Sequence, residues 1–272
     1  MTEQDTALKE YGLFCVKNIT GTCWLSVILQ MLTSCPLYIQ HIKQTRHAGN
    51  EKRNRLIELL IDTIDADLKI LDTELLVRYL QQNYAIGING GRVFDIYSII
   101  DIITGNNFYF SLYYHLGDEL CIEKHITRKD LVKKFDGPIF KTNDIIKTIN
   151  IWEHRLHDWS YHHCEACDKI VFHGHKVKSV FFPYYLIFYL SHYDQIIPPF
   201  INVDTKRSNK RYILKCLTLQ IGNHVACEKF ICGEWYYISD DYHYNVAKFP
   251  EKMSSKSEVT YALYVEDVEY GS

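Results

Sequence analysis

A chain of 272 residues, 47% of them hydrophobic, has sequence enough for one large core or two coupled lobes. Its 30 lysines and arginines against 33 aspartates and glutamates leave a formal charge of −3, which gives no case for binding nucleic acid or an anionic membrane. The 9 cysteines, an odd number, favour a reducing compartment over a disulfide framework.

Met1 to Asp5 does not read as a secretory signal. The expected compartment is therefore the cytoplasm or nucleus, of an infected host cell if the chain is viral, and the formal sequon Asn18-Ile19-Thr20 is disregarded. Thr20, Gly21 and Thr22 form a turn-and-cap signal, and from Trp24 to Leu32 only Ser26 and Gln30 are polar. That pattern predicts a helix buried on most faces, too short to span a bilayer, with Cys23 in its first turn. Orphan N–H groups and the positive end of the helix dipole favour a thiolate there, so a lowered pKa and a nucleophilic role are expected. An inert buried thiol fits this stretch equally well.

From about Leu37 to Ile103 the reading is helical, with apolar groups at helical spacing over Leu56–Ile61 and Leu71–Leu80 and a further helix over Arg92–Ile103. Asn107 to Tyr114 alternates as a strand does, and a charged helix is expected around Lys129–Phe135. The histidines at 154, 157, 162 and 163 read as packing and hydrogen-bonding residues. Cys164 and Cys167 form a Cys-x-x-Cys hook, which supplies two of the four thiolates or imidazoles that a tetrahedral zinc requires. His162, His163, His173, His175 and Cys121 are the nearest further donors, and no second hook exists in the chain. Val180 to Tyr193 reads as one long aromatic strand.

The last third reads as hairpins. A strand over Tyr212–Leu219 leads through a turn at Ile221-Gly222-Asn223 to a second strand beginning at His224. A further hairpin across Gly233 carries Trp235 to Asp241, and antiparallel pairing there brings His224 towards Ser239 and Asp240.

Tyr11-Gly12-Leu13, Lys17-Asn18, Gly21-Thr22-Cys23-Trp24-Leu25 and Leu29-Gln30 together resemble the cysteine box of the ubiquitin-specific proteases. His224-Val225-Ala226 followed by Trp235-Tyr236-Tyr237-Ile238-Ser239-Asp240-Asp241 is similar to the histidine box of the same family. The resemblance spans about Tyr11 to Asp241 but is concentrated in these segments and in the hook with Pro183–Leu190 behind it. Val93-Phe94-Asp95-Ile96-Tyr97 is only a faint echo of a further family segment.

The resemblance implies an α+β papain-like cysteine peptidase: a helical thumb over about residues 11–104 and a β-rich fingers and palm over about 105–272. It implies that Cys23 attacks the carbonyl after a ubiquitin-type C-terminal glycine, that Asn18 and the Cys23 N–H hold the oxyanion, and that His224 is the general base. Four departures stand out. Thr20 replaces a glycine, Trp24 replaces Tyr or Phe, the gap after His224 is one residue short, and Ser239 occupies the orienting position usually held by Asp or Asn. Because a serine cannot stabilise an imidazolium as a carboxylate does, Asp240 is taken as the orienter, with Ser239 and Asp241 behind it.

The retained hook, Cys164 and Cys167, matches the second of the two found in the family. A metal-free fingers region is favoured over a structural zinc, and the chemistry requires no cofactor. The partner expected is ubiquitin or a ubiquitin-like modifier with its conjugates, and the protein is expected to be a monomer. A Cys-Trp-Leu step also occurs in SUMO-directed relatives, so the modifier stays open. Two rival readings remain, a non-cleaving binding module on the same fold and a zinc-ribbon interaction protein built on the hook.

Overall fold

Ten consecutive residues, Cys23 to Leu32, are all buried, and the rest of the chain is arranged to bury them. A computed structural model describes residues 12–17, 21–66, 70–84, 93–104, 109–120, 126–136, 139–142, 144–153, 157–164, 166–167, 169–176, 179–190, 196–205, 208–246 and 258–268. Its helices are α1 (Cys23–Thr33), α2 (Pro36–Gln44), α3 (Glu51–Asp65), α4 (Glu74–Tyr84), α5 (Val93–Thr104) and α6 (Ile145–Glu153). Its strands begin with β1 (Cys15–Val16), β2 (Ile70–Leu71), β3 (Leu112–Leu120), β4 (Ile126–Asp136), β5 (Ile139–Thr142), β6 (His157–Cys164), β7 (Lys169–Lys176) and β8 (Ser179–Phe181). They continue with β9 (Tyr185–Leu190), β10 (Phe200–Thr205), β11 (Ser208–Ile221), β12 (His224–Ile231), β13 (Glu234–Ser239), β14 (Tyr242–Val246) and β15 (Glu258–Glu266). The fold is mixed α+β, as expected.

Eight strands form the main sheet, in the order β14-β13-β12-β11-β15-β9-β5, with β10 also on β11. The 14-residue β11 is long enough to serve two partners along one edge: β10 pairs with it up to Ile213, and β12 pairs from Cys216 onward. Alternation along β12 and β13 sorts side chains between two cores. Val225, Cys227, Ile231, Tyr236 and Ile238 turn towards α1 and join the cluster that contains Trp24, Leu25, Ile28 and Leu29. Leu217, Leu219 and Trp235 join Phe140, Ile145 and Ile149 in the other. Each fully buried aliphatic or aromatic side chain contributes roughly 1.5–3 kcal/mol, so the completely enclosed α1 is the most heavily anchored helix.

Three local expectations change. Lys129–Phe135 is not helical but lies within β4, which pairs antiparallel with β3 from Leu112↔Asp136 to Leu120↔Ile126. A strand partner close in sequence prevails there over charge spacing that suited a helix. The stretch from Val180 divides into β8, which joins β3, and β9, which joins the main sheet. The break falls at Pro183, which has no N–H to continue a ladder, and Tyr212 donates to the Pro183 carbonyl at 2.6 Å. Leu71 pairs in β2 with β1, and α4 begins only at Glu74, whose N–H is accepted by the Asp72 carboxylate at 2.9 Å.

Polar ties fix α1 along its axis. Gln30 donates to the Phe14 carbonyl at 2.6 Å. Lys229, 2% exposed, donates to the Gly12 carbonyl at 2.7 Å, the Thr33 hydroxyl at 2.8 Å and the Gln30 side-chain oxygen at 3.3 Å. Burial pushes the Lys229 ammonium down to about 8, against the opposing influence of the thiols of Cys216, Cys227 and Cys35. Gly12 sits at φ 81°, and a Cβ there would stand 3.1 Å from the Lys229 nitrogen, so both conformation and approach require glycine.

Candidate active site

Helix α1 starts at Cys23 because Thr22, at φ −99°, turns the chain into it and its carbonyl accepts the Leu25 N–H at 2.9 Å. Cys23 is 3% exposed. The backbone N–H groups of Val225, Trp24 and Cys23 itself favour the thiolate, lowering the pKa as a helix start should. Burial outweighs them, and the nearby Asp240 carboxylate adds to it, so the thiol is held above its ordinary value. The lowered pKa expected from sequence is thus reversed: desolvation at a site closed on almost all sides exceeds the contribution of the helix terminus.

His224 opens β12 directly after the Gly222-Asn223 turn, opposite Ile221. Its Nε2 lies 2.7 Å from the Ser239 hydroxyl, and its Nδ1 lies 3.9 Å from the Asp240 carboxylate. Asp240 occupies the left-handed region at φ 47°, which aspartate tolerates, in the two-residue reversal between Ser239 and Tyr242. The Val16 N–H donates to the Asp240 carbonyl at 2.8 Å, and the Cys15 sulfur lies 3.4 Å from His243 Nδ1. Strand β1, just before α1, is therefore stitched to the hairpin beside His224.

The sequence-predicted residues Cys23, His224 and Asp240 come together here. Asp240 lies on the Nδ1 side of the ring, and its charge also acts on the Cys23 thiol. Among the described residues no hydrogen bond joins the Cys23 thiol to the His224 ring, whose bond goes to Ser239. The ring's hydrogen bond goes to Ser239, ranked behind Asp240 in the sequence reading, while Asp240 stands at ion-pair distance on the opposite nitrogen. Asn18 lies outside the described residues.

Sequence reasoning missed two participants. The Val225 N–H carries no side-chain signal at all. Tyr237, whose ring stacks on Tyr244 with centroids 4.9 Å apart, is signalled only by lying two residues from Ser239 on the same face of β13. A cleft of about 700 Å³ lined by Phe14, Ser34, Lys43, Lys229 and Phe230 opens at the other end of α1 and contains none of the site residues.

The hook sits at the tip of the β6–β7 hairpin, where the Cys167 N–H donates to the Cys164 carbonyl at 3.3 Å and Cys164 is buried. Its two thiols suit a tetrahedral metal, but among the described residues no group of three or more histidines, cysteines or acids is gathered there or elsewhere. The donor set described is half of one.

Against solved structures, the chain is similar to the SAGA Ubp8/Sgf11/Sus1/Sgf73 deubiquitinase module bound to ubiquitin aldehyde, at TM-score 0.57 and 14% identity, covering 95% of this chain and 70% of that one. A second structure of the module, with a point variant of Ubp8 and a Sgf11 fragment lacking its zinc finger, matches at TM-score 0.51 and 15% identity, covering 94% and 69%. The fold is a mixed α+β one similar to that of the Ubp8 deubiquitinase module. No family model matches the sequence, and no curated protein matches it. At this identity the likeness concerns the path of the backbone, and the site has to be argued from its own residues.

Proposed function

We propose that this chain is a thiol hydrolase cleaving peptide or isopeptide bonds at the C-terminus of ubiquitin. Cys23 is the nucleophile, and His224 is general base and then general acid. The observation that carries this reading is the grouping of Cys23, at the start of the buried helix α1, with His224 and Asp240 at the edge of the main sheet. The His224 ring bonds to Ser239, and the Asp240 carboxylate, 3.9 Å from that ring, also acts through its charge on the Cys23 thiol. The likeness of fold to a module captured with ubiquitin aldehyde supports the choice of substrate.

The steps follow from the ring's surroundings. With Nε2–H donated to Ser239, Nδ1 keeps its lone pair and takes the thiol proton as sulfur bonds to the substrate carbonyl carbon. The carbonyl oxygen becomes an oxyanion, held by the Cys23 N–H at the helix start and by Asn18. Collapse breaks the C–N bond, Nδ1–H passes its proton to the leaving amine, and a thioester remains. Water, deprotonated at Nδ1, then releases the carboxylate and restores the thiol. Asp240, 3.9 Å from Nδ1, stabilises the imidazolium at the nitrogen where the proton arrives, so orientation and charge are divided between Ser239 and Asp240. The reading needs no cofactor and no metal at Cys164 and Cys167, and it assumes a monomer in a reducing compartment.

A second reading, a module that holds the modifier without cleaving it, is favoured by the burial of Cys23, its raised pKa and the lack, among the described residues, of a hydrogen bond to His224. Release of a fluorophore from the C-terminal amide of ubiquitin, beside the SUMO equivalent, separates the two. Turnover abolished by Cys23→Ala supports the hydrolase and names the modifier. Absence of turnover with both, in protein that still binds ubiquitin, supports the module.

A further inference from the structure

Three lysines and one aspartate line the cleft of about 700 Å³ at the carbonyl end of α1. Lys43 and Asp65 answer each other, with the ammonium nitrogen 2.6 Å from a carboxylate oxygen. Lys215 and Lys229 have no such partner: among the described residues neither enters an ion pair. Asp267, whose carboxylate acts on Lys215 at longer range, is engaged with Arg211 at 4.0 Å. Lys229 commits its three donors to neutral acceptors, the Gly12 carbonyl, the Thr33 hydroxyl and the Gln30 side-chain oxygen. The negative end of the α1 dipole offsets roughly half of one charge there. Lys215 Nζ lies 4.8 Å from the Phe230 ring centre, and Lys229 Nζ lies 5.8 Å from that of Phe14. Both rings belong to the cleft wall, so more than one positive charge is left unbalanced beside it.

Burial makes that excess costly. Lys229 is almost fully enclosed and Lys215 half-buried, and desolvation lowers the pKa of both ammoniums. A buried charge without a counter-charge is stabilised by an anion that reaches it. The character of that anion follows from the rest of the wall, where Phe14, Ile39, Ile64, Phe230, Ile231 and Val265 are all apolar. The volume falls among those of small-molecule sites, about 300–1,000 Å³. Lysines act as point charges and offer no planar fork, so nothing here is built for a phosphate held bidentately. An organic acid satisfies both halves of the cleft: its body covers the apolar wall, and its carboxylate supplies the missing charge.

We propose that this cleft is a binding site for a small organic carboxylate with an apolar body, its charge answered by Lys215 and Lys229. The site lies apart from Cys23, His224 and Asp240 and does not depend on the hydrolase reading.

The test titrates 4-phenylbutyrate, octanoate and 1-naphthoate into the full chain by calorimetry, each beside its neutral amide. At least one acid is expected to bind with a dissociation constant of about 1 mM or tighter, and about tenfold tighter than its amide. Lys215→Met and Lys229→Met should each weaken the acid about tenfold and leave the amide unchanged. Lys215→Met, at a half-buried strand position, carries the test alone if Lys229→Met does not fold. Affinity for the acid should fall from about pH 7 to 9, as Lys229 loses its proton. That series uses Cys232→Ser protein, in which the exposed thiol at the rim adds no negative charge. Methyl NMR of isoleucine-labelled protein should show the acid shifting Ile39, Ile64 and Ile231. Equal affinities for acid and amide, binding unmoved by Lys215→Met, shifts confined to isoleucines away from the cleft, or no binding by any of the acids overturns the proposal.

Discussion

His224 stands between two partners of different kind: the Ser239 hydroxyl 2.7 Å from Nε2 and the Asp240 carboxylate 3.9 Å from Nδ1. The neutral partner makes the hydrogen bond, and the charged one stands by the opposite nitrogen and also acts on the Cys23 thiol. That division of roles, and the burial around it, can be tested residue by residue.

Asp240 raises the Cys23 pKa through its charge, after the larger effect of burial. In the free protein Cys23 is expected to alkylate with a midpoint above that of an ordinary cysteine, and Asp240→Asn should move that midpoint to lower pH. The sign is fixed: removing a negative charge favours the thiolate, so the neutral variant reacts faster with iodoacetamide at about pH 8. Its turnover should nevertheless fall, because the imidazolium loses its counter-charge. Faster alkylation with slower turnover is the signature to look for.

Lys229 gives a pH effect on stability that is independent of catalysis. Burial holds its folded-state pKa at about 8, below the ordinary lysine value of 10.5. Between these values the unfolded chain carries a proton that the folded protein lacks, so this group's contribution to stability rises with pH across that window. Urea unfolding of wild type and of Lys229→Met from about pH 7 to 10.5 should show the wild type gaining on the variant by about 3 kcal/mol. A constant difference would mean that Lys229 keeps its proton in the folded state.

Leu29 is fully enclosed in the cluster between α1 and the sheet. Leu29→Ala should cost about 2–5 kcal/mol in denaturant unfolding, since the surrounding helix and strands leave little room to collapse. Gly12→Ala acts on the same region from the other side, combining a left-handed backbone with a Cβ 3.1 Å from the Lys229 nitrogen. A loss of more than about 1 kcal/mol is expected there.

The Cys164–Cys167 hook is expected to be dispensable for the fold. Elemental analysis of purified protein should find well under one zinc per chain, and a chelator should leave thermal unfolding unchanged. One zinc per chain, lost with Cys164→Ser, would instead make the hairpin tip a metal site completed by further donors.

Periodicity and turn chemistry made most of the architecture legible before any coordinates. The apolar run after Cys23 specified a buried helix, and Gly222-Asn223 and Gly233 marked the reversals that bring His224 to Ser239 and Asp240. Where the reading failed, strand pairing or a proline had overridden the pattern of composition. Lys129–Phe135 had a helix-compatible charge spacing yet found a strand partner in β3, and Pro183 cut a run whose composition looked continuous. The site was legible in its membership but not in its electrostatics. A cysteine at a helix start predicts a thiolate, and only the enclosure of Cys23 by β12 reverses the sign. Likewise, sequence favoured the carboxylate of Asp240 as the orienter because charge is the stronger partner. The hydrogen bond to Ser239 depends on the register of β13, and the left-handed turn at Asp240 carries the next residue away from Nε2.

The central claim is that Cys23 is a working nucleophile for a ubiquitin C-terminus. Its most direct measurement is the intact mass of the protein after incubation with ubiquitin bearing a C-terminal electrophile, followed by mapping of the modified residue. The account predicts a single adduct on Cys23, absent in Cys23→Ala and slowed in Ser239→Ala. Folded protein that binds ubiquitin but forms no adduct, or forms one on another cysteine, would contradict it.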